Sequence, residues 1–254
     1  MKSEIELVIS ERISKNGIMS FSEYMDILLF HDSHGYYHTK DIFGRKGDFI
    51  TSPTTSSLFG ASIANEFINL RDFIAEPVLL EIGAGDASLV ISIIEHLHNK
   101  KSLPNTFYIM ETSEKLIKLQ KANIMKKIPR CSHIIEWVKC EDISGINGLI
   151  VCNEFFDVLP TERFRIENEK FFQLFVGYHE DVKIQWEDKT NKLRDIFKNL
   201  KSYEILSQYN DYESEINLNY EAWVQNINNI LNTGVVFIID YGYNMKEYFL
   251  PDRK

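Results

Sequence analysis

A short apolar run that ends in two closely spaced glycines constrains this chain more than any other stretch. The run covers Val78–Ile82, continues through Gly83-Ala84-Gly85, and passes into an amphipathic segment at 89–94. Aliphatic residues closed by Gly-x-Gly and followed by helical spacing predict a buried parallel strand, a tight turn and a helix that returns along the sheet. The glycines allow the backbone to approach a ligand beside the positive end of that helix. The stretch therefore predicts a nucleotide-type cofactor site in an α/β fold.

The residues around the turn indicate which cofactor it would hold. A dinucleotide-binding fingerprint needs a third glycine where this chain has Ser88, so that pattern fails. Glu81 stands two residues before the first glycine, and Glu111 ends the next apolar run, 107–110. An acid that ends the second strand is placed to accept hydrogen bonds from ribose hydroxyls, and Glu81 could face the cationic amino-acid part of S-adenosylmethionine. The alternative is an ordinary strand, turn and helix without a ligand.

Composition limits the partners and the compartment. The 254 residues, of which 44% are hydrophobic, can bury a full core. The formal net charge of −9 argues against sequence-independent binding to nucleic acid and favours small molecules or basic protein segments. Cys131, Cys140 and Cys152 have no Cys-x-x-Cys spacing and predict free thiols in a reducing compartment. Without a signal-peptide h-region or a membrane-span pattern, the chain is predicted to be cytoplasmic.

Three histidines at His31, His34 and His38 raise the question of a metal site. They lie at i, i+3 and i+7 across a glycine, and no cysteine or carboxylate pattern accompanies them. Zinc sites require a tetrahedral ligand set that this spacing does not supply. The stretch, which also contains two tyrosines, therefore favours a packed aromatic turn over a metal site, and no metal is predicted.

Periodicity and turn residues predict the remaining elements. Two helices are expected within 3–30, the second over 21–30 with Ser20 as its N-cap, and a helix that begins after Ser113 is expected to have that serine as its N-cap. The polar loop Gly44–Pro53 reads as a lid before a helix at about 56–74. The other expected elements are strands at 134–137, 148–152 and 235–239, a hairpin of 163–166 and 171–176 followed by a strand at 182–186, and helices at 192–209 and 219–232.

Polar residues follow the strand at 148–152. In an open α/β sheet the carboxyl ends of the strands form the ligand crevice, so Asn153 and Glu154 are expected to face the same ligand as Gly83 and Gly85.

Six motifs in fixed order are similar to those of one known family. They are Phe21-Ser22-Glu23-Tyr24-Met25, Tyr36-Tyr37, the loop Phe43–Pro53, Glu81–Gly85, Asn153–Pro160 and Ile239–Tyr243. The chain from about residue 18 to its end thereby resembles the MidA family of S-adenosylmethionine-dependent methyltransferases. Mitochondrial relatives of that family assist assembly of respiratory complex I and methylate an arginine of one of its subunits.

The resemblance implies a protein arginine methyltransferase that uses S-adenosylmethionine and has a complex I subunit as its protein substrate. If the acceptor is a guanidinium, carboxylates must hold its planar fork, and Glu154 and Asp157 are the catalytic candidates. A turn or cap role is the alternative for Asp157. The expected cofactor-binding residues are Gly47, Asp48, Thr51, Glu81, Gly83, Ala84, Gly85, Glu111, Thr112, Ser113, Asp142 and Asn153.

The chain departs from the family pattern in two ways. The family's loop carries a third glycine where this chain has Ala87, whose methyl group should crowd the ligand or demand a negative φ. The family also continues well beyond Tyr243, so the last strands of the sheet are expected to be missing. The strand at 235–239 should then have an open apolar edge, which predicts marginal stability, association into homo-oligomers or dependence on a partner, and slow methyl transfer.

The expected fold is α/β: a class I methyltransferase, Rossmann-like doubly wound sheet with a helical N-terminal cap. Residues 1–75 form the cap and the lid loop, and 76–254 form the core with a hairpin and helical insertion at about 161–232. A truncated, catalytically weak binding or assembly module that retains the cofactor fold is the alternative function. A nucleotide-dependent oxidoreductase is disfavoured by Ser88.

Overall fold

The computed structural model describes residues 3–39, 42, 56–168, 170–179, 181–187, 193 and 211–250. Contacts between Cα atoms divide the chain into two compact units. One contains residues 37–158 and 221–240 and is called the sheet unit below. The other contains residues 1–36, 159–220 and 241–254 and is called the insertion unit. The predicted boundary at residue 75 stays a prediction.

The sheet unit is built on five parallel strands. They are β2 (Val78–Ile82), β3 (Phe107–Met110), β4 (Ile135–Val138), β5 (Ile146–Asn153) and β10 (Leu231–Ile239). The order across the sheet is β10-β5-β2-β3-β4, and every described pairing in it is parallel. The strands are apolar because both of their faces are covered in an α/β fold.

The register of this sheet aligns the carboxyl ends of its strands. Ile82 lies opposite both Met110 on β3 and Cys152 on β5, and Asn153 lies opposite Ile239 on β10. The chain runs from β2 outward to β3 and β4 and then returns to β5 on the other side of β2. The strand order therefore reverses between β2 and β5, which is where open α/β sheets bind ligands.

Helices of the sheet unit form one hydrophobic core with these strands. Phe67, Ile94 and Leu149, from two helices and strand β5, have no solvent exposure. Ser113 begins one helix as predicted, since its Oγ accepts a hydrogen bond from the backbone nitrogen of Leu116. The helices are α4 (Ser57–Leu70), α5 (Ser88–Asn99), α6 (Glu114–Lys127) and α7 (Tyr220–Ile230), with 3₁₀ turns at Pro129–Ile134 and Cys140–Asp142.

The insertion unit is organised around a sheet of β1 (Met19–Ser20), β6 (Glu162–Glu167), β7 (Lys170–His179), β8 (Asp181–Glu187) and β9 (Asp211–Ile216). The strand order is β1-β7-β6-β9 with β8 paired to β7, and every described pairing is antiparallel. Its helices are α1 (Glu4–Asn16), α2 (Phe21–Phe30) and α8 (Met245–Tyr248). A further short helix, α3 (Tyr36–Thr39), begins in this unit and runs into the sheet unit.

The α/β class and most predicted elements are confirmed, including the two N-terminal helices, Ser20 as N-cap and the hairpin of β6 and β7. Strand β9 was not predicted. The predicted helix at 192–209 lies outside the described residues apart from Leu193, and the predicted lid loop 44–53 lies outside them entirely. Within the part of the chain that is described, no helix is both long enough and apolar enough to cross a membrane.

Candidate functional site

The glycine turn after β2 adopts the backbone that only glycine accepts easily. Gly83 has φ 74° and Gly85 has φ 53°, both in the left-handed region. The backbone nitrogen of Gly83 donates to the carbonyl of Met110 at 3.1 Å, which ties the turn to the end of β3. A Cβ at position 83 would lie 2.9 Å from the ring of Phe155. The turn is therefore closely packed on one side and glycine is required at its first position.

Ala87 closes the same turn in a conformation that the sequence did not predict. Its φ is 67°, so the expectation of a negative φ at this position is wrong. The backbone nitrogen of Ala87 donates to the carbonyl of Ala84 at 2.8 Å, and its carbonyl begins the hydrogen bonding of α5. A left-handed alanine costs roughly 1–2 kcal/mol relative to glycine. The turn thus has a positive φ at Gly83, Gly85 and Ala87, and at Ala87 this conformation carries some strain.

Glu81 is a buried acid with an unsatisfied oxygen. The residue is 2% exposed, and its Oε2 has no hydrogen-bond partner among the described residues. Burial, with a smaller contribution from Asp86, raises the pKa of Glu81 to about 8. A buried polar atom without a partner is rare in folded proteins and calls for a ligand or a functional reason. Glu81 is therefore placed to receive a cationic or hydrogen-bonding group at the start of the glycine turn.

Glu111, which follows β3, is held in one orientation by three hydrogen bonds. Its Oε1 accepts from the backbone nitrogens of Thr112 at 2.8 Å and Ser113 at 2.9 Å. Its Oε2 accepts from Nε2 of Gln120 at 3.3 Å. Burial raises the pKa of Glu111, and these hydrogen bonds and the charge of His38 act in the opposite direction. A carboxylate fixed in this way can accept further hydrogen bonds from a ligand without reorienting.

Two amide side chains on α6 hold the glycine turn, and the sequence reasoning missed both. Gln120 is completely buried and donates from Nε2 to the carbonyl of Gly85 at 3.0 Å. Asn123, one turn further along, donates from Nδ2 to the carbonyl of Asp86 at 2.9 Å. The spacing of three residues puts both side chains on one face of the helix. The only available signal was this pair of amides in an otherwise lysine-rich helix.

The segment after β5 is fixed to the end of β10. The backbone nitrogen of Glu154, which has φ 49°, donates to the carbonyl of Ile239 at 2.8 Å. The carboxylate of Asp240 accepts from the backbone nitrogens of Phe156 and Asp157. Burial, and next the charge of Asp240, raise the pKa of Asp157. Three acidic residues thus lie along this edge, and a cation is the ligand that they suit.

Aromatic rings line the same segment. The rings of Phe155 and Trp223 meet edge to face with centroids 4.7 Å apart, and Phe155 and Phe156 do so at 5.5 Å. Since Phe155 also lies against Gly83, these rings form an apolar wall beside the glycine turn. Such a wall excludes water and strengthens electrostatic interactions at the acidic edge.

The structure brings together a large part of the predicted cofactor set. Glu81, Gly83, Ala84 and Gly85 lie at the end of β2, Glu111, Thr112 and Ser113 at the end of β3, and Asn153 at the end of β5. Asp142 is exposed in the 3₁₀ turn after β4, and no hydrogen bond joins it to the glycine turn among the residues described. Gly47, Asp48 and Thr51 lie outside the described residues.

The histidine cluster divides between two environments. The rings of His31 and His34 stack with centroids 5.3 Å apart, and Nδ1 of His31 accepts from the backbone nitrogen of Ser33. His38 instead acts electrostatically on Glu111. No group of three or more metal-ligating side chains occurs within the described ranges.

Comparison with known proteins places these features in a family. Residues 58–254 match the model of a family described as "Putative S-adenosyl-L-methionine-dependent methyltransferase". The protein arginine methyltransferase NDUFAF7 of mouse mitochondria is 29% identical over 204 residues, which cover 70% of this chain and 45% of that protein. The human protein of the same name is 28% identical over 202 residues with the same coverage. The chain thus spans less than half the length of these curated relatives.

A solved structure supports the fold. A crystal structure of a Burkholderia thailandensis protein bound to S-adenosyl-homocysteine superposes with a TM-score of 0.86 at 21% identity. The alignment covers 98% of this chain and 65% of that one. At this level of identity the likeness establishes the fold.

Proposed function

Because the chain belongs to this family of S-adenosylmethionine-dependent methyltransferases, we propose that it binds S-adenosylmethionine at the carboxyl edge of its parallel sheet and transfers the methyl group to an arginine of a protein substrate. The arginine acceptor is taken from the names of the NDUFAF7 relatives and from the acidic edge formed by Glu154, Asp157 and Asp240. The site lies where the strand order reverses between β2 and β5.

The observation that carries the proposal is the unsatisfied Oε2 of Glu81. It lies at the end of β2, directly before a turn in which Gly83 and Gly85 both have a positive φ. The ammonium group and the sulfonium of S-adenosylmethionine are cationic, so the ammonium can donate a hydrogen bond to Oε2 and supply a counter-charge that favours the ionised form of Glu81. Glu111, fixed at the end of the next strand, is suited to the ribose hydroxyls of the same ligand.

The protein's contribution to the reaction is alignment and exclusion of water. The bound cofactor supplies a methyl group on a positively charged sulfur. Carboxylates of Glu154 and Asp157 would hold the planar guanidinium of arginine and direct one nitrogen at that methyl group. The raised pKa of Asp157 suits it to take up the proton that the methylated nitrogen releases. Phe155 and Trp223 keep this edge apolar on one side.

Methyl transfer can be tested directly with arginine-containing proteins and isotopically labelled S-adenosylmethionine. We expect mass spectrometry to detect methylarginine in the substrate protein after incubation with the unaltered chain. The amount should be strongly reduced with Glu154→Gln and with Asp157→Asn. Glu95→Gln, an exposed change on α5, serves as the matched control and should retain activity. Cofactor binding without any transfer would instead support the alternative of a binding or assembly module.

The proposal also covers the substrate, the compartment and the oligomeric state. The substrate is a subunit of respiratory complex I or a homologous assembly, by analogy with the resemblance described above. The chain works in the cytoplasm, which is supported by three free cysteines, of which Cys131 and Cys152 are buried. It forms homo-oligomers through β10, where Val235 and Ile238 are 37% and 50% exposed. Fractionation, and sedimentation of the purified chain, test the last two.

A further inference from the structure

Gln120 joins three parts of the site through one buried amide. Its Nε2 donates to the carbonyl of Gly85 at 3.0 Å and to Oε2 of Glu111 at 3.3 Å. Its Oε1 accepts from Nε1 of Trp137 on β4 at 2.8 Å. The side chain is completely buried, so water does not compete for these hydrogen bonds.

The donors and acceptors around this amide determine which way it is oriented. An indole N–H can only donate, so the atom of Gln120 that faces Trp137 must be the oxygen. The NH₂ group must then face Glu111 and Gly85, both of which offer only acceptors. All three contacts agree with one amide orientation. Trp137 therefore sets the direction of Gln120, and Gln120 sets the position of Oε2 of Glu111.

Gln120 holds one of the two carboxylate oxygens of Glu111 in place. Backbone nitrogens of Thr112 and Ser113 fix Oε1, whereas Gln120 is the described side chain that holds Oε2. A carboxylate has about four acceptor positions, and those three bonds leave Oε2 able to accept one more. Because the same NH₂ group binds the Gly85 carbonyl, the glycine turn and this free acceptor position keep a fixed separation.

We infer that Gln120 is a positioning residue that sets recognition of the cofactor's ribose hydroxyls, by holding Oε2 of Glu111 at a fixed place relative to the glycine turn. The inference rests on the proposed cofactor. It goes beyond that proposal in assigning selectivity for the ribose to a residue that does not itself face the ligand crevice.

The test compares binding of S-adenosylhomocysteine with binding of its 2′-deoxy and 3′-deoxy analogues by calorimetry. A hydrogen bond to a charged group contributes enough binding free energy to change the Kd by about tenfold or more. The unaltered chain should therefore bind S-adenosylhomocysteine about tenfold or more tightly than at least one of the two analogues. In Gln120→Leu that preference should fall to within about threefold, because Oε2 is no longer held in place.

Asn123→Leu is the matched control. Asn123 holds the neighbouring carbonyl of Asp86 from the same face of α6 but has no described bond to Glu111. Its replacement should raise the Kd of all three ligands by a similar factor and leave the ratios of their Kd values unchanged. A merely structural role of Gln120 would give the same pattern as this control, and that result would overturn the inference.

Trp137→Phe decides the matter if Gln120→Leu does not fold. It keeps an aromatic ring beneath Lys121 but removes the N–H that orients the amide. It should lower the ribose preference in the same direction, and an unchanged preference would contradict the inference. If the unaltered chain binds none of the three ligands, the proposed cofactor itself is wrong, which is a separate result from an unchanged preference in the variants.

Discussion

The carboxylate of Asp240 lies 3.0 Å from the backbone nitrogen of Asp157, with the same oxygen 2.9 Å from that of Phe156. One acid at the end of β10 thereby fixes the segment that follows β5 and carries the acidic edge. Two backbone donors on one carboxylate oxygen form a charge-assisted pair of hydrogen bonds, which is stronger than a neutral pair. The position of Asp157 is therefore determined by a residue more than eighty positions away in the chain.

Asp240→Ala should impair use of the methyl acceptor more than binding of the cofactor. The change leaves two backbone donors without their acceptor, and loss of such bonds typically costs roughly 1.5–3 kcal/mol. We expect kcat/KM for the arginine substrate to fall by about tenfold or more, while the Kd for S-adenosylhomocysteine stays within about threefold. Steady-state kinetics and calorimetry on the same preparation measure the two quantities.

Asp72→Ala, at an exposed position after α4, provides the comparison for this variant and should change neither quantity. The opposite result in Asp240→Ala would be a large rise in the Kd for S-adenosylhomocysteine with an unchanged kcat/KM for the arginine substrate. That result would show that Asp240 supports cofactor binding and not the segment that holds the acceptor.

Glu81 should make the unliganded fold less stable as the pH rises. An unfolded glutamate ionises near pH 4.5, whereas burial keeps Glu81 protonated in the fold up to a pKa of about 8. Between those values the folded chain binds a proton that the unfolded chain has lost, so the free energy of unfolding decreases with increasing pH. The melting temperature should therefore be lower at about pH 8 than at about pH 5. This difference should be smaller in Glu81→Gln, because the glutamine side chain cannot ionise.

The control for this comparison is Glu95→Gln, which changes an exposed carboxylate on α5 and should leave the pH dependence as it is in the unaltered chain. Identical pH dependence in Glu81→Gln and the unaltered chain would show that Glu81 is already ionised in the fold.

Glu111→Ala should weaken the binding of every ligand that contains a ribose. Removal of a charged acceptor from a bound hydroxyl typically costs roughly 1.5–3 kcal/mol, so the Kd for S-adenosylhomocysteine should rise by about ten- to a hundredfold. Calorimetry with adenosine and S-adenosylhomocysteine measures this effect. A lower melting temperature with unchanged affinity would leave Glu111 with only its structural role beside Thr112 and Ser113.

The outer edge of β10 should mediate association. No described strand pairs with that edge, and Ile238 of the same strand is 50% exposed. Ile238→Lys should convert a concentration-dependent oligomer into a monomer in sedimentation velocity, because a charge on an edge strand disfavours pairing with another chain. Leu58→Lys, at a residue 75% exposed on α4, should not change the association. A compact monomer at all concentrations without any substitution would contradict this prediction.

The core of the sheet unit could be predicted because its strands are apolar runs closed by turn residues. Val78–Ile82 and Gly148–Cys152 carry that signal plainly, and each lies in a buried parallel strand. Strand β9 could not be predicted in the same way. Charged residues at 211, 213 and 215 alternate with Tyr212, Ser214 and Ile216, but only Tyr212 is buried, so the segment lacks the apolar run that marks Val78–Ile82 as a strand.

Long-range contacts explain what the sequence could not indicate at the site. Gln120 stands between lysines in a polar helix, and nothing in that local pattern separates a buried amide from a solvated one. Its role depends on Gly85 and Trp137, which come from other elements of the sheet unit. Ala87 likewise adopts a left-handed backbone because the surrounding turn imposes it, against the residue's own preference.

A calorimetric titration with S-adenosylmethionine, repeated on Gly85→Val and Gly145→Val, tests whether the cofactor binds at the glycine turn. Both glycines have a positive φ, 53° and 65°, so the two substitutions strain the backbone comparably. Gly145 lies before the amino end of β5, and a Cβ there meets nothing within 4 Å. We expect the affinity for S-adenosylmethionine to fall by at least about tenfold in Gly85→Val and to be retained in Gly145→Val. Unchanged affinity in Gly85→Val would show that the cofactor does not bind at this turn.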